Sequence, residues 1–390
     1  MISILKNFIV LSIGTLLCGC VTTVDFSDGR AKSPAELPVV QVFYDKQGDI
    51  YPIDWQASDK KLTKNSDHSL ICQFKQSLCG LTNFAIYSDS QKEAQYKAWR
   101  RIQEVENNRI VDEIVSELQS TNNKTVVMLV HGFRVPDAHE DYGKVKRALL
   151  NNRSNDESPV FLEVHWDGRQ SRTLPISALK AWPPAQWTAP AVGFRLRPLI
   201  NELNARVEGK GVDLFVLTHS TGAVVAGALF GNPKGALPCL VDEESANKCG
   251  ANYTEFLTSI KSGDGAVSVP KWSDMNLVML AAATSSATFA VPAQTDLGYD
   301  GVQNANLVFS HSKNDSALNK YIKLPSLLGY SGLGARIEDL KVVEDELSNV
   351  EPKRANVTVL EMSEELGGKH DMTEYIKTTE FSKVLDLLWD

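Results

Sequence analysis

Six short apolar runs, scarcely broken by polar residues, constrain this chain more than any other feature. They are Val126 to Val130, Val160 to Val164, Leu214 to Leu217, Leu277 to Ala283, Leu307 to Phe309 and Val357 to Leu360. A strand with one wet face alternates apolar and polar residues, whereas a parallel strand covered on both faces does not. Helical stretches separate or follow several of the runs, over Tyr142 to Leu150, Gly193 to Val207, Thr221 to Phe230 and Glu374 to Leu388. Such alternation predicts an open α/β fold, with a mostly parallel central sheet and helices on both faces. Two insertions interrupt it. Gly168 to Pro190 is rich in Trp, Pro and Ala, and Gly231 to Pro270 holds two cysteines. Ahead of the first run, Val39 to Tyr44 and Ile50 to Trp55 flank Asp45 to Asp49 as an expected hairpin. Gln91 to Leu118 then reads as a helix, with Ala98, Ile102, Val105, Ile110, Ile114 and Leu118 turned to the core.

Composition narrows the function classes. The chain has 390 residues, 43% of them hydrophobic and 23% charged. These proportions exclude a disordered or fibrous chain. A core of this size needs no metal or disulfide to hold it. The formal net charge of −8 argues against nucleic acid as a partner, because neutralising phosphates takes a surplus of Lys and Arg.

The N-terminus addresses location. Lys6 precedes an apolar stretch from Phe8 to Leu17. That is too short to cross a hydrocarbon core, which takes roughly 20 helical residues. The pattern is that of a cleaved secretory signal. It ends in Leu17-Cys18-Gly19-Cys20, which resembles the bacterial lipobox and implies lipidation of Cys20. Val21 stands where an inner-membrane retention signal usually has Asp. The resemblance therefore implies a lipoprotein of the cell envelope, held at the outer membrane and facing the periplasm, with the bilayer as partner through its lipid. The expected organisation is a signal peptide over 1–19, a tether over 20–38 and one domain over 39–390. Within that domain the hairpin and helix occupy 39–120, and the insertions lie at about 168–190 and 231–270.

Four cysteines remain, Cys72 and Cys79, Cys239 and Cys249. Short loops close at least entropic cost, and an oxidising compartment favours disulfides. Two local bridges are expected, Cys72 to Cys79 and Cys239 to Cys249. Zinc ligands are usually two to four residues apart, a spacing neither pair has.

The chemistry concentrates after the strands. Thr218-His219-Ser220-Thr221-Gly222 stands between the run Leu214 to Leu217 and the apolar stretch Ala223 to Phe230. Strand, tight turn with Ser, then helix is the setting of a nucleophile elbow, with the helix N-terminus aimed at the developing oxyanion. His131-Gly132-Phe133 follows the first run, where a second oxyanion donor is commonly shaped. A Ser nucleophile needs a base, and the base an orienting carboxylate. Asp315 follows Leu307 to Phe309, and His370 follows the last run. All three candidates fall past the C-terminal ends of parallel strands, where open α/β sheets bind ligands. His311 is the rival base, but it would break the order Ser, Asp, His. His131 and His219 read as loop-shaping residues. His68, His139 and His165 have no partner pattern, and Asp274 and Asp300 read as solvated carboxylates.

On these motifs, over roughly Thr125 to Asp390, the chain resembles serine hydrolases of the α/β-hydrolase superfamily, near a bacterial lipase-like branch of unknown function. The resemblance implies an α/β-hydrolase fold and Ser220 as nucleophile, His370 as base and Asp315 as orienter. It also implies an oxyanion hole from the backbone N–H groups of Phe133 and Thr221. One residue departs from the pattern: Thr218 stands where the elbow usually has Gly or Ala, and its bulk is expected to open the turn slightly. The function implied is a membrane-anchored esterase or lipase-like enzyme acting on an ester or other acyl substrate, without metal or cofactor. An acyltransferase using the same triad, a peptidase, or a hydrolase-fold scaffold without catalysis are the alternatives.

Overall fold

All six apolar runs form strands, the one at 277–283 leaving its strand after Leu280, and a seventh strand joins them. The computed structural model describes residues 21–23, 37–45, 47–52, 70–74, 90–121, 124–132, 138–151, 158–166, 169–171, 176–231, 270, 272, 274–290, 305–322, 332–348 and 355–389. The strands are β1 (Val39–Tyr44), β2 (Thr125–Val130), β3 (Val160–Trp166), β4 (Asp213–His219), β5 (Met275–Leu280), β6 (Ala305–His311) and β7 (Ala355–Glu361). They form one sheet in the order β1-β3-β2-β4-β5-β6-β7, and every pairing is parallel. Residues inside β2, β3 and β4 are buried almost throughout, which is why these segments show no polar alternation. Register on one side is pinned by amides. Asn276, Asn306 and Asn356 stand side by side on β5, β6 and β7, and each of the two Asn–Asn hydrogen bonds is 2.8 Å.

Helices cover both faces. Helix α1 (Ser90–Ser120), α3 (Ile176–Val207), α4 (Gly222–Phe230) and α5 (Ile337–Ser348) share one core with Val126, Leu162, Leu214 and Leu277. Helix α2 (Ala138–Asn151) and the C-terminal α6 (Ser382–Trp389) cover the other face, around Phe161, Phe215, Val278 and Tyr375. Strand order, crossovers and coverage make this an α/β-hydrolase fold. The chain order reverses between β2 and β4, so their C-terminal ends open the crevice where doubly wound sheets bind ligands.

Several segments differ from the sequence expectation. The hairpin is reduced to a turn and a single bridge, Tyr44 to Ile50, while β1 pairs in parallel with β3. The Asp45 carboxylate takes the N–H groups of Gln47 and Asp49, both at 2.8 Å, beside backbone bonds from Asp45 N–H to the Asp49 carbonyl at 2.8 Å and from Tyr51 N–H to the Phe43 carbonyl at 2.9 Å. Gln103 of α1 receives the Ile50 N–H and donates to its carbonyl at 2.9 Å, tying this segment to the helix. Residues 53–55 of that expected strand lie outside the described residues. The buried stripe of α1 consequently runs through Trp99, Gln103, Ile110, Ile114 and Leu118, and Val105 is 65% exposed.

The insertion read at 168–190 is a short strand, Arg169–Ser171, followed by the first half of α3. Pro183, Pro184, Pro190 and Pro198 all fall inside this helix, although each interior proline costs about 3 kcal/mol. From Thr188 onward the helix is buried against α4 and the sheet, and tertiary packing of this kind decides helicity more than propensity does. The expected C-terminal helix is broken into Met372–Tyr375, a 3₁₀ turn over Thr379–Phe381, and α6. Thr378 is extended, and the Glu365 carboxylate accepts the Thr379 N–H at 2.8 Å and its hydroxyl at 2.6 Å. Helix α5 was not anticipated, although Leu340, Val343 and Leu347 line its buried side. The signal peptide, Cys20, most of the tether, Cys79, Cys239, Cys249 and nearly all of 231–270 lie outside the described residues. Cys72 is buried on the short helix Leu70–Phe74. No described helix is long and apolar enough to cross a membrane.

One close approach fixes the helix layer. A Cβ on Gly193 of α3 would stand 2.1 Å from the Val225 carbonyl oxygen of α4. Gly193→Ala should therefore lower stability in urea unfolding by about 1–3 kcal/mol through overpacking. Gly143→Ala is the control, since the nearest atom to its added Cβ is the Arg147 guanidinium at 3.9 Å. That change should be neutral or stabilising by up to about 1 kcal/mol. Equal losses in the two variants would contradict the packing account.

Candidate active site

Ser220 follows the last residue of β4 and has φ of 54°, a left-handed backbone uncommon for any residue but Gly, Asn or Asp. The surroundings hold it there. Its N–H donates to the Leu280 carbonyl at 2.9 Å, and its carbonyl accepts from Ala223 and Ala283, each at 3.1 Å. The tight approach requires glycines on both sides. A Cβ on Gly132 would lie 2.8 Å from Ser220 Cβ, and one on Gly222 would lie 2.6 Å from the Val130 carbonyl oxygen. Thr218 does not open the turn. It lies within β4 between Val130 and Met279, fully buried, with its hydroxyl 3.5 Å from the Val278 carbonyl.

Asp315 lies four residues past β6 and directly ahead of the helix Ser316–Ile322. Its Oδ1 accepts the N–H groups of Ala317 and Leu318, both at 2.9 Å, as a helix N-cap carboxylate does. His370 lies past β7 on a loop that turns at Gly367, where φ is 62°. The structure brings the three side chains together. His370 Nε2 is 3.0 Å from Ser220 Oγ. On the other side of the ring, Nδ1 is 2.8 Å from Asp315 Oδ2 and 3.0 Å from Oδ1. With the proton on Nδ1, the ring donates to the carboxylate and offers Nε2 to the Ser hydroxyl.

Burial alone would raise the Asp315 carboxyl. The hydrogen bond and charge of His370, with the Leu318 N–H and the Tyr375 hydroxyl, outweigh that and hold it below the ordinary carboxylate range. Tyr375 was not singled out by sequence. Its hydroxyl donates to Asp315 Oδ2 at 2.7 Å, and burial together with the Asp315 charge keeps it protonated. No local pattern flags a Tyr five residues past a candidate base, so only the folded loop reveals it.

The two flanking histidines sit where their motifs placed them. The His131 N–H donates to the Tyr142 hydroxyl at 2.8 Å, and that hydroxyl donates to the Val164 carbonyl at 2.7 Å. The His131 ring stacks on Trp166 with centroids 5.4 Å apart. Its Nδ1 donates to the Gly132 carbonyl at 2.6 Å, and its Nε2 accepts the Trp166 N–H at 3.2 Å. These bonds fix the backbone entering Phe133, which itself lies outside the described residues. His219 is buried next to Ser220, and its Nε2 meets the His370 carbonyl at 2.6 Å. Thr221 is buried at the N-cap position of α4, so its N–H belongs to the turn that presents Ser220.

Other sequence candidates fall elsewhere. His311 pairs with Glu361 on the neighbouring strand, away from the Ser220–His370 contact. His165 stacks on Phe43 at 4.6 Å and faces a buried Lys146–Glu163 ion pair of 2.6 Å. Asp274 is exposed, as read. His68, Asp300 and the His139 side chain lie outside the described residues. Among the described residues, no group of three or more His, Cys, Asp or Glu is placed to hold a metal ion.

Comparison with known proteins adds little beyond the fold. No family model and no curated protein matches the chain. Among solved structures, a carboxylesterase of Bacillus cereus is 12% identical with a TM-score of 0.32, covering 68% of this chain and 89% of its own. The apo form of Thermogutta terrifontis esterase 2 is 11% identical with a TM-score of 0.26, covering 68% and 81% respectively. Likenesses this slight carry no inference about reaction or substrate.

The imidazoles beside the site make acid stability a test of their surroundings. Burial, reinforced by the nearby His165, brings His131 down to about 3, and burial with the charge of His370 brings His219 to about 3. In the unfolded chain both return to about 6.5. Their folded-state values are depressed, so the stability they contribute is complete above about pH 6.5 and is lost as pH falls toward 3. The slope is at most about 1.4 kcal/mol per pH unit for each ring. Denaturant unfolding should show the decline beginning near pH 6.5, ahead of the carboxylates, and a shallower slope in His219→Gln. A flat profile down to pH 4.5 would contradict the buried neutral assignment.

Proposed function

We propose that this chain is a serine hydrolase cleaving a carboxylic ester through an acyl-Ser220 intermediate. The observation that carries the reading is the continuous hydrogen-bonded chain from Tyr375 through Asp315 and His370 to Ser220 Oγ. In this reading Ser220 Oγ attacks the ester carbonyl while His370 Nε2 takes its proton. The carbonyl π electrons move onto oxygen, and the oxyanion is held by the backbone N–H groups of Thr221 and Phe133. Collapse expels the alkoxide, which leaves as the alcohol with the proton from His370. Water then enters, His370 removes its proton, and the acid departs as Ser220 regains its hydroxyl hydrogen. Asp315 stays ionised throughout, orienting the ring and stabilising the imidazolium. The low carboxyl pKa and the three other donors on Asp315 support that role.

A fluorophosphonate probe tests the nucleophile. It should label Ser220, and Ser220→Ala should abolish labelling. His370→Ala should suppress it nearly as far, because members of one catalytic unit give non-additive losses. Asp315→Asn should leave the fold intact and lower kcat on an activated ester by about 10⁴-fold or less. Replacing His311 should have little effect. Labelling that survives Ser220→Ala would contradict the reading, and release of acyl groups to added alcohol in preference to water would favour acyl transfer.

We also propose that the enzyme is lipid-anchored at Cys20 and faces the periplasm, with disulfides Cys72–Cys79 and Cys239–Cys249. Support comes from the lipobox-like Leu17-Cys18-Gly19-Cys20 and from the short loop that each local cysteine pair would close. Cys20→Ser should abolish palmitate labelling and release the protein from the envelope fraction. Continued labelling in that variant would refute the anchor.

A further inference from the structure

The base-bearing loop reaches the nucleophile from a distant part of the sequence, so something must fix its position. His370 Nε2 stands 3.0 Å from Ser220 Oγ although the two residues are 150 positions apart in sequence. The loop turns at Gly367 with positive φ. It is tied by Lys369 N–H to the Leu366 carbonyl at 3.0 Å, and by Ser316 N–H to the Gly368 carbonyl at 3.2 Å. Neither bond involves the backbone of His370 itself. The His370 carbonyl is instead met by His219 Nε2 at 2.6 Å. A carbonyl oxygen can only accept, so the proton of the His219 ring is on Nε2.

We infer that His219 is a positioning residue for the proposed reaction, tethering the His370 backbone to the end of the nucleophile strand and so setting the Ser220–His370 distance. The inference rests on the reading of Ser220 and His370 as nucleophile and base. Its geometry is direct. His219 is the last residue of β4 and directly precedes Ser220, so one strand end presents the hydroxyl and holds the loop that carries the base. The His219 ring lies 4.9 Å from the His370 ring and packs edge-on against Tyr375 at 6.0 Å, centroid to centroid. Tyr375 in turn binds Asp315, so the strand end meets His370 directly and Asp315 through Tyr375.

The titratable groups facing His219 are His370, Asp315 and His131, with the protonated Tyr375 hydroxyl behind them. His219 stays neutral through the working pH range, since burial first and the His370 charge second depress it to about 3. The tether therefore holds in both protonation states of His370, which a charged neighbour would not allow. A displacement of the base by about 1 Å is enough to cost on the order of 10²-fold in rate.

His219→Phe keeps a ring of similar size and removes the donor. His219→Gln keeps an N–H near the Nε2 position, whereas the amide of His219→Asn is too short to reach the carbonyl. Three readouts are made on the full-length protein with the fluorophosphonate probe, an activated acetate ester and amide hydrogen exchange. The tether predicts that His219→Phe is labelled at Ser220 at least about tenfold more slowly, with kcat lowered and KM nearly unchanged. Exchange over 367–371 should be faster, and His219→Gln should recover most of the rate and the protection. If His219→Phe does not fold, Gln against Asn carries the same comparison. Wild-type labelling and wild-type exchange in His219→Phe, or in His219→Asn, would overturn the tether. If the wild-type chain itself is not labelled, the proposed hydrolase function fails, while the exchange over 367–371 still decides whether His219 holds the loop.

Discussion

The left-handed backbone of Ser220 is the constraint on which the site depends. A non-glycine residue in that region costs on the order of 1–2 kcal/mol, and such strain persists only where the surroundings over-determine it. Here β5 continues its pairing past the strand end, with Leu280 accepting from Ser220 and Ala283 donating to it. Gly132 and Gly222 leave the room that any side chain would fill. The strain turns the hydroxyl out of the sheet to the top of α4. Without it, Oγ would follow the pleat of β4 into one face of the core.

Parallel strands do the rest of the assembly. Because β2, β4, β6 and β7 run the same way, the residues that follow them emerge at one edge of the sheet. Gly132, Ser220, Asp315 and His370 meet there although more than two hundred residues separate the first from the last. Each is then held by neighbours: Tyr142 and Trp166 meet the backbone at His131, Leu280 and Ala283 that of Ser220, the N–H groups of Ala317 and Leu318 the Asp315 carboxylate, and His219 the His370 carbonyl. The Asp315 carboxylate, buried yet ionised, is the group whose removal would leave the most uncompensated donors.

The fold was legible because its strands carry a two-sided burial pattern that few other structures produce, and Ser220, Asp315 and His370 were singled out because they follow such strands in the order of the family that the chain resembles. What the sequence hid has physical causes. Asp45 and Gln103 tie the 45–50 segment to its turn and to α1 through side chains, contacts that local patterning does not show. Tertiary burial from Thr188 onward carries α3 through Pro190 and Pro198. Glu365 intercepted the Thr379 N–H and split a helix whose periodicity looked continuous. Tyr375 and His219 act across the fold, and a contact between residues 151 positions apart leaves no trace in local spacing.

The central claim is that Ser220 becomes acylated because His370 accepts its proton. Rapid acid quench during turnover of an activated acetate ester, followed by peptide mass mapping, tests it directly, since a covalent intermediate is the fingerprint of nucleophilic catalysis. The account predicts one added acetyl group on the peptide containing Ser220, removable by hydroxylamine and absent from His370→Ala under the same quench. Turnover with no adduct at Ser220, or an adduct that forms equally fast without His370, would contradict it.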